Sequence, residues 1–232
     1  MKISVIMPVH NRETYIETAI RSLLQQRNDA DIDVVVVDDG STDETADIVA
    51  KIAAEDGAVR LFRQEGSGVA RARNTGLDNI HDDAELVTFL DSDDACAPGR
   101  FASELSVFRE NRQIAMTYGL MALTQEIGGA SLIPPPDAAT CTVRGVSLTT
   151  AVFRRDAIAR IGRFDEGLRQ SEDFDYLLRF FELGLEYQLL DTISIFYRRH
   201  AGNMTKDRAE AQMFFLQSLI RSVRRRREAG MP

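Results

Sequence analysis

Ile32-Asp33-Val34-Val35-Val36-Val37-Asp38-Asp39-Gly40-Ser41-Thr42-Asp43-Glu44 is the stretch that decides the fold. Its four consecutive valines carry no alternation, so the strand has no solvent face and is buried on both sides. That is the pattern of a strand inside a parallel sheet covered by helices. The valines stop at an acidic turn. Ser41, with Glu44 three residues on, predicts a capping box. Ile48, Val49, Ile52 and Ala53 then recur at helical spacing.

The same strand–helix unit repeats on either side. Residues 3–7 form a short β-branched run, followed at helical spacing by Tyr15, Ile16, Ala19, Ile20, Leu23 and Leu24. Residues 59–62 predict a third strand, 69–79 a helix and 86–90 a fourth strand, after which Pro98 leads into a helix through Phe101, Leu105 and Phe108. Such alternation means an α/β layer fold with a mostly parallel sheet and right-handed crossovers. The second half is less regular. Strands are expected at 114–123, 147–153, 187–190 and 193–197, and helices at 156–161 and 172–183. Phe174, Leu177, Leu178 and Phe181 are expected on one side of the latter. Gly128, Gly129 and Pro134–Pro136 mark a loop. The tail at 208–228 predicts an amphipathic basic helix, with Arg221 and Arg224–Arg227 opposite Phe214, Phe215, Leu216, Leu219 and Ile220.

Composition bounds the function. The chain has 232 residues, 28 Lys plus Arg against 36 Asp plus Glu, and a formal net charge of −8. An acidic balance argues against general nucleic-acid binding, which needs a cationic face. With 44% hydrophobic and 28% charged residues the chain is an ordinary globular one. No run approaches the ~18 apolar residues of a membrane span, and the first residues do not form a signal-peptide core. Cys96 and Cys141 lie far apart without CxxC spacing, so the expectation is two reduced thiols in a cytoplasmic protein.

The acids that matter follow strands. Asp38 and Asp39 end the valine run, and Asp91-Ser92-Asp93-Asp94 ends the fourth strand. In an open α/β sheet the ligand crevice lies at those carboxyl ends. The alternative is that they are plain turn residues. The D-x-D pair Asp91/Asp93 suits Mg²⁺ or Mn²⁺, which takes one or two protein carboxylates and completes its shell with water and phosphate oxygens. Gly66, Gly68 and Gly76 lack the G-x-G-x-x-G order, which disfavours a nicotinamide-dependent Rossmann enzyme.

Residues 5–11 (Val-Ile-Met-Pro-Val-His-Asn), 37–45 (Val-Asp-Asp-Gly-Ser-Thr-Asp-Glu-Thr) and 68–76 (Gly-Val-Ala-Arg-Ala-Arg-Asn-Thr-Gly) open an ordered series of motifs. Residues 89–94, 162–166, Ser171-Glu172-Asp173 and Tyr197-Arg198-Arg199-His200 complete it. The series resembles family 2 glycosyltransferases with the GT-A fold, from about residue 3 to about residue 205. The resemblance implies a mostly parallel mixed sheet flanked by helices, with a Rossmann-like first half. Residues 1–205 would be one catalytic domain, 1–112 its nucleotide-sugar half and 113–205 its acceptor half, with 206–232 a basic amphipathic helix.

It also implies an inverting, metal-dependent transfer of a sugar from a UDP- or dTDP-linked donor to a hydroxyl on a glycan, a lipid-linked or another acceptor. By resemblance Pro8, Val9, His10 and Asn11 form a loop around the base, Asp39 meets the uracil or thymine imide, and Arg73, Asp91 and Ser92 lie by the donor. Asp93, with Asp91 and His200, takes the metal, Mn²⁺ or Mg²⁺. Asp173 is the general base, and Glu172 orients its neighbours or contacts the acceptor. Arg71 stands where the family commonly has a small residue. Helix rules alone make Glu172 and Asp173 ordinary first-turn acids, and a lone His is commonly structural. The alternatives are a nucleotidyltransferase on a related α/β fold, weakened by the absence of a Gly-rich basic loop at 8–13, and a non-catalytic nucleotide-sugar-binding protein. Peripheral contact with the inner face of an anionic membrane is the sharper use of the tail helix; packing on its own domain is the plainer one.

Overall fold

The computed structural model describes residues 1–145, 147–200, 202 and 208–230. Its strands are β1 (Lys2–Val9), β2 (Asp31–Asp38), β3 (Val59–Arg63), β4 (Leu86–Phe89), β5 (Ala95–Cys96), β6 (Met116–Thr124), β7 (Cys141–Val143), β8 (Ala151–Arg154) and β9 (Tyr187–Arg198). Its helices are α1 (Ile16–Leu24), α2 (Thr45–Glu55), α3 (Val69–Asp78), α4 (Arg100–Glu110), α5 (Arg155–Ile161), α6 (Glu172–Glu182) and α7 (Arg208–Glu228).

All strands join one sheet in the order β3-β2-β1-β4-β8-β6-β9-β5, with β7 on β6. The first four are parallel; β8 runs antiparallel to β4 and β6, and β5 antiparallel to β9. The valine run explains the layering. Val34 and Val36 enter one core with Ile16, Ile20 and Leu23 of α1, Val49 and Ile52 of α2, and Phe101 and Leu105 of α4. Val35 and Val37 enter the opposite core with Ala70 and Ala72 of α3, Ile158 of α5, and Tyr176 and Phe180 of α6. All four valines are fully buried, so period-2 geometry feeds two cores from one strand.

From β1 the chain moves outward to β2 and β3, then returns to β4 on the other side of β1. The strand order therefore reverses between β1 and β4, and their carboxyl ends open the crevice where such sheets bind ligands.

Several local expectations change. There is no capping box: α2 starts at Thr45, its N-cap Glu44 makes no side-chain cap bond, and the Ser41 hydroxyl instead accepts the Asn11 N–H at 2.9 Å. Residues 187–190 and 193–197 are one strand, β9, because β6 pairs with it throughout, across register shifts. The expected strand at 147–153 is a 3₁₀ turn, Leu148–Thr150, leading into the short β8. On α6 the core face is Tyr176, Leu177 and Phe180, whereas Phe181 is exposed and Phe174 stacks on Phe215 of α7 at 4.6 Å. α6 is covered by the sheet on one side and by α7 on another, so one apolar stripe does not describe it.

The faces of α7 depart from expectation in part: Phe214 is buried and Arg224, Arg226 and Arg227 are exposed, but Arg221 and Arg225 turn inward while Leu216 and Ile220 do not. Arg221 pairs with Asp165, and Arg225 reaches both Asp175 (2.9 Å) and Glu182 (2.7 Å) of α6. Leu216 and Ile220 point outward, 57% and 66% exposed. The carboxylates of α6 and the loop before it draw the arginines inward, and of the apolar residues only Phe214 is buried. Of the expected tail at 206–232, residues 206–207 and 231–232 lie outside the described residues.

Candidate functional site

The rim is built from four loops. Pro8 and Val9 are the last residues of β1 rather than part of a loop. β4 pairs with β1 only as far as Ile6. Pro8 shares the parity of Ile6, whose carbonyl accepts the Leu90 N–H, so its missing donor falls on the side where pairing has ended. The loop begins at the exposed His10. Asn11 adopts φ 51° there, donates its N–H to Ser41 Oγ (2.9 Å) and accepts the Thr42 N–H (2.8 Å). Arg12 N–H donates to Thr45 Oγ1 at 2.7 Å. The β1 and β2 loops are thereby tied together.

Asp39 is buried in this rim. Its carboxylate accepts Gln64 Nε2 (2.7 Å), Ser67 N–H (2.9 Å) and Gly68 N–H (2.8 Å), and His10 Nδ1 lies 3.0 Å from its main-chain oxygen. Gly40, at φ +78°, allows the close pass of the two loops, since a Cβ there would come within 2.9 Å of the Gly66 nitrogen.

The acids cluster at the ends of β4 and α6. Arg73, buried on α3, pairs with Glu172 through one nitrogen and donates to Asp91 Oδ1 at 3.0 Å through another. Its Nε is buried without a partner. Asn74 holds the neighbouring loop through the Phe164 carbonyl and N–H and Glu166. Burial pushes the Glu172 carboxyl up to about 7; Arg73 opposes this, and Asp173 and Asp91 add to it. Asp91 is raised for the same reasons, burial first, against Arg73 and with repulsion from Asp93 and Asp173. Asp173 stands in the first turn of α6, where its Oδ1 accepts the Phe174 N–H at 2.7 Å. Ser92 is buried, and so is Asp94, whose Oδ1 accepts the Arg198 N–H at 2.9 Å. Burial and the adjacent Asp91 and Asp93 charges push Asp94 well above the usual range, and its Oδ2 has no partner.

Asp93 is the most crowded. Its Oδ2 faces His200 Nε2 at 3.0 Å and accepts Arg12 Nε at 3.2 Å, while its carbonyl accepts Arg198 Nε at 2.9 Å. The His200 ring lies against Tyr15, centroids 4.8 Å apart and tilted by 36°, and its Nδ1 accepts the Gly202 N–H at 3.0 Å. The Arg198 guanidinium lies over the same Tyr15 ring. Sequence inspection gave Arg12 and Tyr15 no site role, since a loop arginine and a helix-entry tyrosine look like ordinary surface and core residues. Arg198, of the Tyr197–His200 motif, is largely buried, and it binds protein groups. Arg71 is exposed on α3.

The structure thus joins Arg73, Asp91, Glu172 and Asp173 in one cluster and Asp93 with His200 in the adjoining one. His10 and Asp39 lie one and two strands away along the rim. Among the described residues no group of three or more His, Cys, Asp or Glu side chains is arranged to hold a metal without help. A carboxylate and an imidazole are nevertheless donor types that a divalent ion takes, and Asp93 Oδ2 and His200 Nε2 lie within hydrogen-bond distance of each other at 3.0 Å.

The model of the family described as glycosyl transferase family 2 matches residues 4–127, more than half of the chain. An uncharacterised glycosyltransferase of Haemophilus influenzae is 40% identical over 118 residues, covering 50% of this chain and 46% of that protein. The chain therefore spans about half the length of that curated relative. The crystal structure of S. aureus TarS residues 1–349 in complex with UDP-GlcNAc superposes with TM-score 0.72 at 23% identity, over 89% of this chain and 61% of that one. The mannosyltransferase PcManGT from Pyrobaculum calidifontis, solved with GDP-Man and Mn²⁺, gives TM-score 0.70 at 18% identity, over 96% and 64%. The family match runs from within β1 to just past β6, and the chain belongs to glycosyl transferase family 2, with the GT-A fold.

Proposed function

We propose that this chain transfers a sugar, with inversion, from a UDP- or dTDP-linked donor to an acceptor hydroxyl, with Mn²⁺ or Mg²⁺ bound. The observation that carries the proposal is the gathering of Asp91, Asp93, Glu172 and Asp173 around Arg73 and His200 at the reversal of strand order. Asp39 meets the base: three of its roughly four acceptor positions are filled by the Gln64 amide and the Ser67 and Gly68 N–H groups, leaving one for an imide N–H. His10 and Asn11 border the base on the β1 side. Asp91, oriented by Arg73, faces the ribose.

Asp93 and His200 would hold the divalent ion, which would supply Lewis-acid neutralisation of the charge that grows on the leaving diphosphate. The chain's own residues do the rest. Asp173 accepts the acceptor hydroxyl's proton as the new bond to the anomeric carbon forms and the bond to the diphosphate oxygen breaks. The centre passes through an oxocarbenium-like state by analogy with glycoside hydrolysis. One displacement needs one base and no covalent sugar–enzyme intermediate. Glu172 holds Arg73 and, through it, Asp91.

Residues 1–112 are proposed as the donor half and 113–205 as the acceptor half. The same proposal puts the protein in the cytoplasm, with α7 against an anionic membrane that displays the acceptor. Supporting this, Met213, Leu216, Ile220 and Val223 form an exposed stripe flanked by the exposed Arg224 and Arg227. No helix among the described residues is long and apolar enough to cross a membrane. Sedimentation with phosphatidylglycerol vesicles, but not with phosphatidylcholine vesicles, is expected, and Leu216→Glu with Ile220→Glu should abolish it. Equal pelleting of both proteins would remove α7 from the proposal.

The chemical test is release of nucleoside diphosphate from a panel of nucleotide sugars in Mn²⁺, with and without EDTA. Release that survives EDTA or Asp173→Asn overturns the mechanism.

A further inference from the structure

The crowding at Asp93 carries an inference beyond the transfer reaction, and it rests on the proposed metal role of Asp93 and His200. Asp93 Oδ2 already accepts Arg12 Nε at 3.2 Å and faces His200 Nε2 at 3.0 Å. His200 Nδ1 accepts the Gly202 N–H, so in neutral imidazole Nε2 is the proton-bearing nitrogen and donates to the same oxygen. One of the two oxygens of the carboxylate a metal would use is therefore already engaged by N–H groups.

Arg12 is held for this task. Its backbone N–H is fixed on Thr45 Oγ1 (2.7 Å), and one terminal nitrogen donates to the Asn11 carbonyl (3.0 Å). The side chain is only partly exposed, so its attraction to Asp93 is less screened than at an open surface. A guanidinium already on this carboxylate makes a divalent ion there more costly, because both bring positive charge to the same few ångströms.

We propose that Arg12 is a stand-in cation. It neutralises Asp93 while the donor is absent, suppresses binding of free divalent ions, and swings off when a metal arrives with a nucleoside diphosphate. The diphosphate offers the displaced guanidinium new oxygens, which suit its planar fork. Metal and donor loading are thereby coupled through one side chain, and coupling of this kind is reciprocal.

The test reads metal binding, not turnover. Free Mn²⁺ is measured by electron paramagnetic resonance in titrations of wild type, Arg12→Met, Arg12→Lys and Asp93→Asn, each with and without UDP. Without UDP, Arg12→Met is expected to bind Mn²⁺ about tenfold or more tightly than wild type, because a like charge has left the ligand oxygen. Arg12→Lys should stay near wild type, and Asp93→Asn should lose the site. The gain in Mn²⁺ affinity on adding UDP should shrink in Arg12→Met. In wild type, the Arg12 Nε–H resonance should shift as Mg²⁺ saturates the UDP complex, a readout independent of any variant's folding. Unchanged or weaker Mn²⁺ affinity in Arg12→Met, or an Nε–H resonance unmoved at saturation, overturns the inference while leaving metal binding in place. No Mn²⁺ binding by wild type even with UDP overturns the metal reading itself, and this inference with it.

Discussion

Glu172 and Asp173 are neighbours with opposite environments, and this divides their roles. Glu172 is buried against Arg73, and burial is the first cause of its rise to about 7. A carboxyl raised above its usual 4.5 binds protons more readily in the folded chain than in the unfolded one. Stability from this group therefore falls as pH rises from about 4.5 through about 7, and does not return above it. Glu172→Gln should flatten that part of a melting-temperature profile; a profile identical to wild type would remove Glu172 as its source. Asp173→Asn should lower turnover by about 10²–10⁴-fold, the range for loss of a general base, while calorimetric donor affinity stays within about twofold of wild type. A parallel loss of donor affinity would make Asp173 a binding residue instead. At this scale the sequence was partly legible. Asp91 and Asp93 stood out because they follow an apolar strand. Arg12 did not, because its pairing with Asp93 spans 81 positions and leaves no local pattern.

Elements were most legible where burial is two-sided. The valine run and the parallel strands beside it needed only period and length. Element ends and helix faces were harder, since partners decide them. The Ser41–Glu44 pattern suggested a cap, yet the Ser41 hydroxyl is used by Asn11 across 30 positions. On α7 the acids beneath it draw Arg221 and Arg225 inward, which the hydrophobic pattern of α7 itself does not encode. The close pass of α3 over β1 gives a sharp test. A Cβ on Gly76 would overlap the side chain of Ile6, whereas one on Gly57 meets nothing within 4 Å. Gly76→Ala should cost about 1–3 kcal/mol in urea unfolding, as overpacking does, and Gly57→Ala should stay within about 0.5 kcal/mol. Equal midpoints would deny that this contact is tight. Arg225→Ala strips Asp175 and Glu182 of a shared cation. It should cost about 1–3 kcal/mol, since charged hydrogen bonds to partly buried acids are lost, and a Glu182→Gln double-mutant cycle should return the non-additive part.

At the scale of the molecule, the acidic balance has resolved into local neutralities. Arg73, Arg12, Arg60 and Arg225 each sit between or beside buried or half-buried acids. The half of the sheet made of β8, β6, β9 and β5 was not readable in advance. Its strands pair out of chain order, β9 carries register shifts against β6, and β7 and β8 share one edge of β6. No local period encodes such pairings. What the whole fold accomplishes is to bring the end of β1, the end of β4 and the start of α6 to one crevice. The central claim is that a nucleotide-sugar donor and a divalent ion bind there together. Calorimetric titration of a UDP-sugar into wild type and Asp93→Asn, each with and without Mn²⁺, tests it most directly. The account predicts binding by wild type that Mn²⁺ strengthens about tenfold or more, as one removed charge repulsion on the diphosphate implies, and loss of that strengthening in Asp93→Asn. Donor binding that ignores both Mn²⁺ and Asp93, or no donor binding at all, would contradict it.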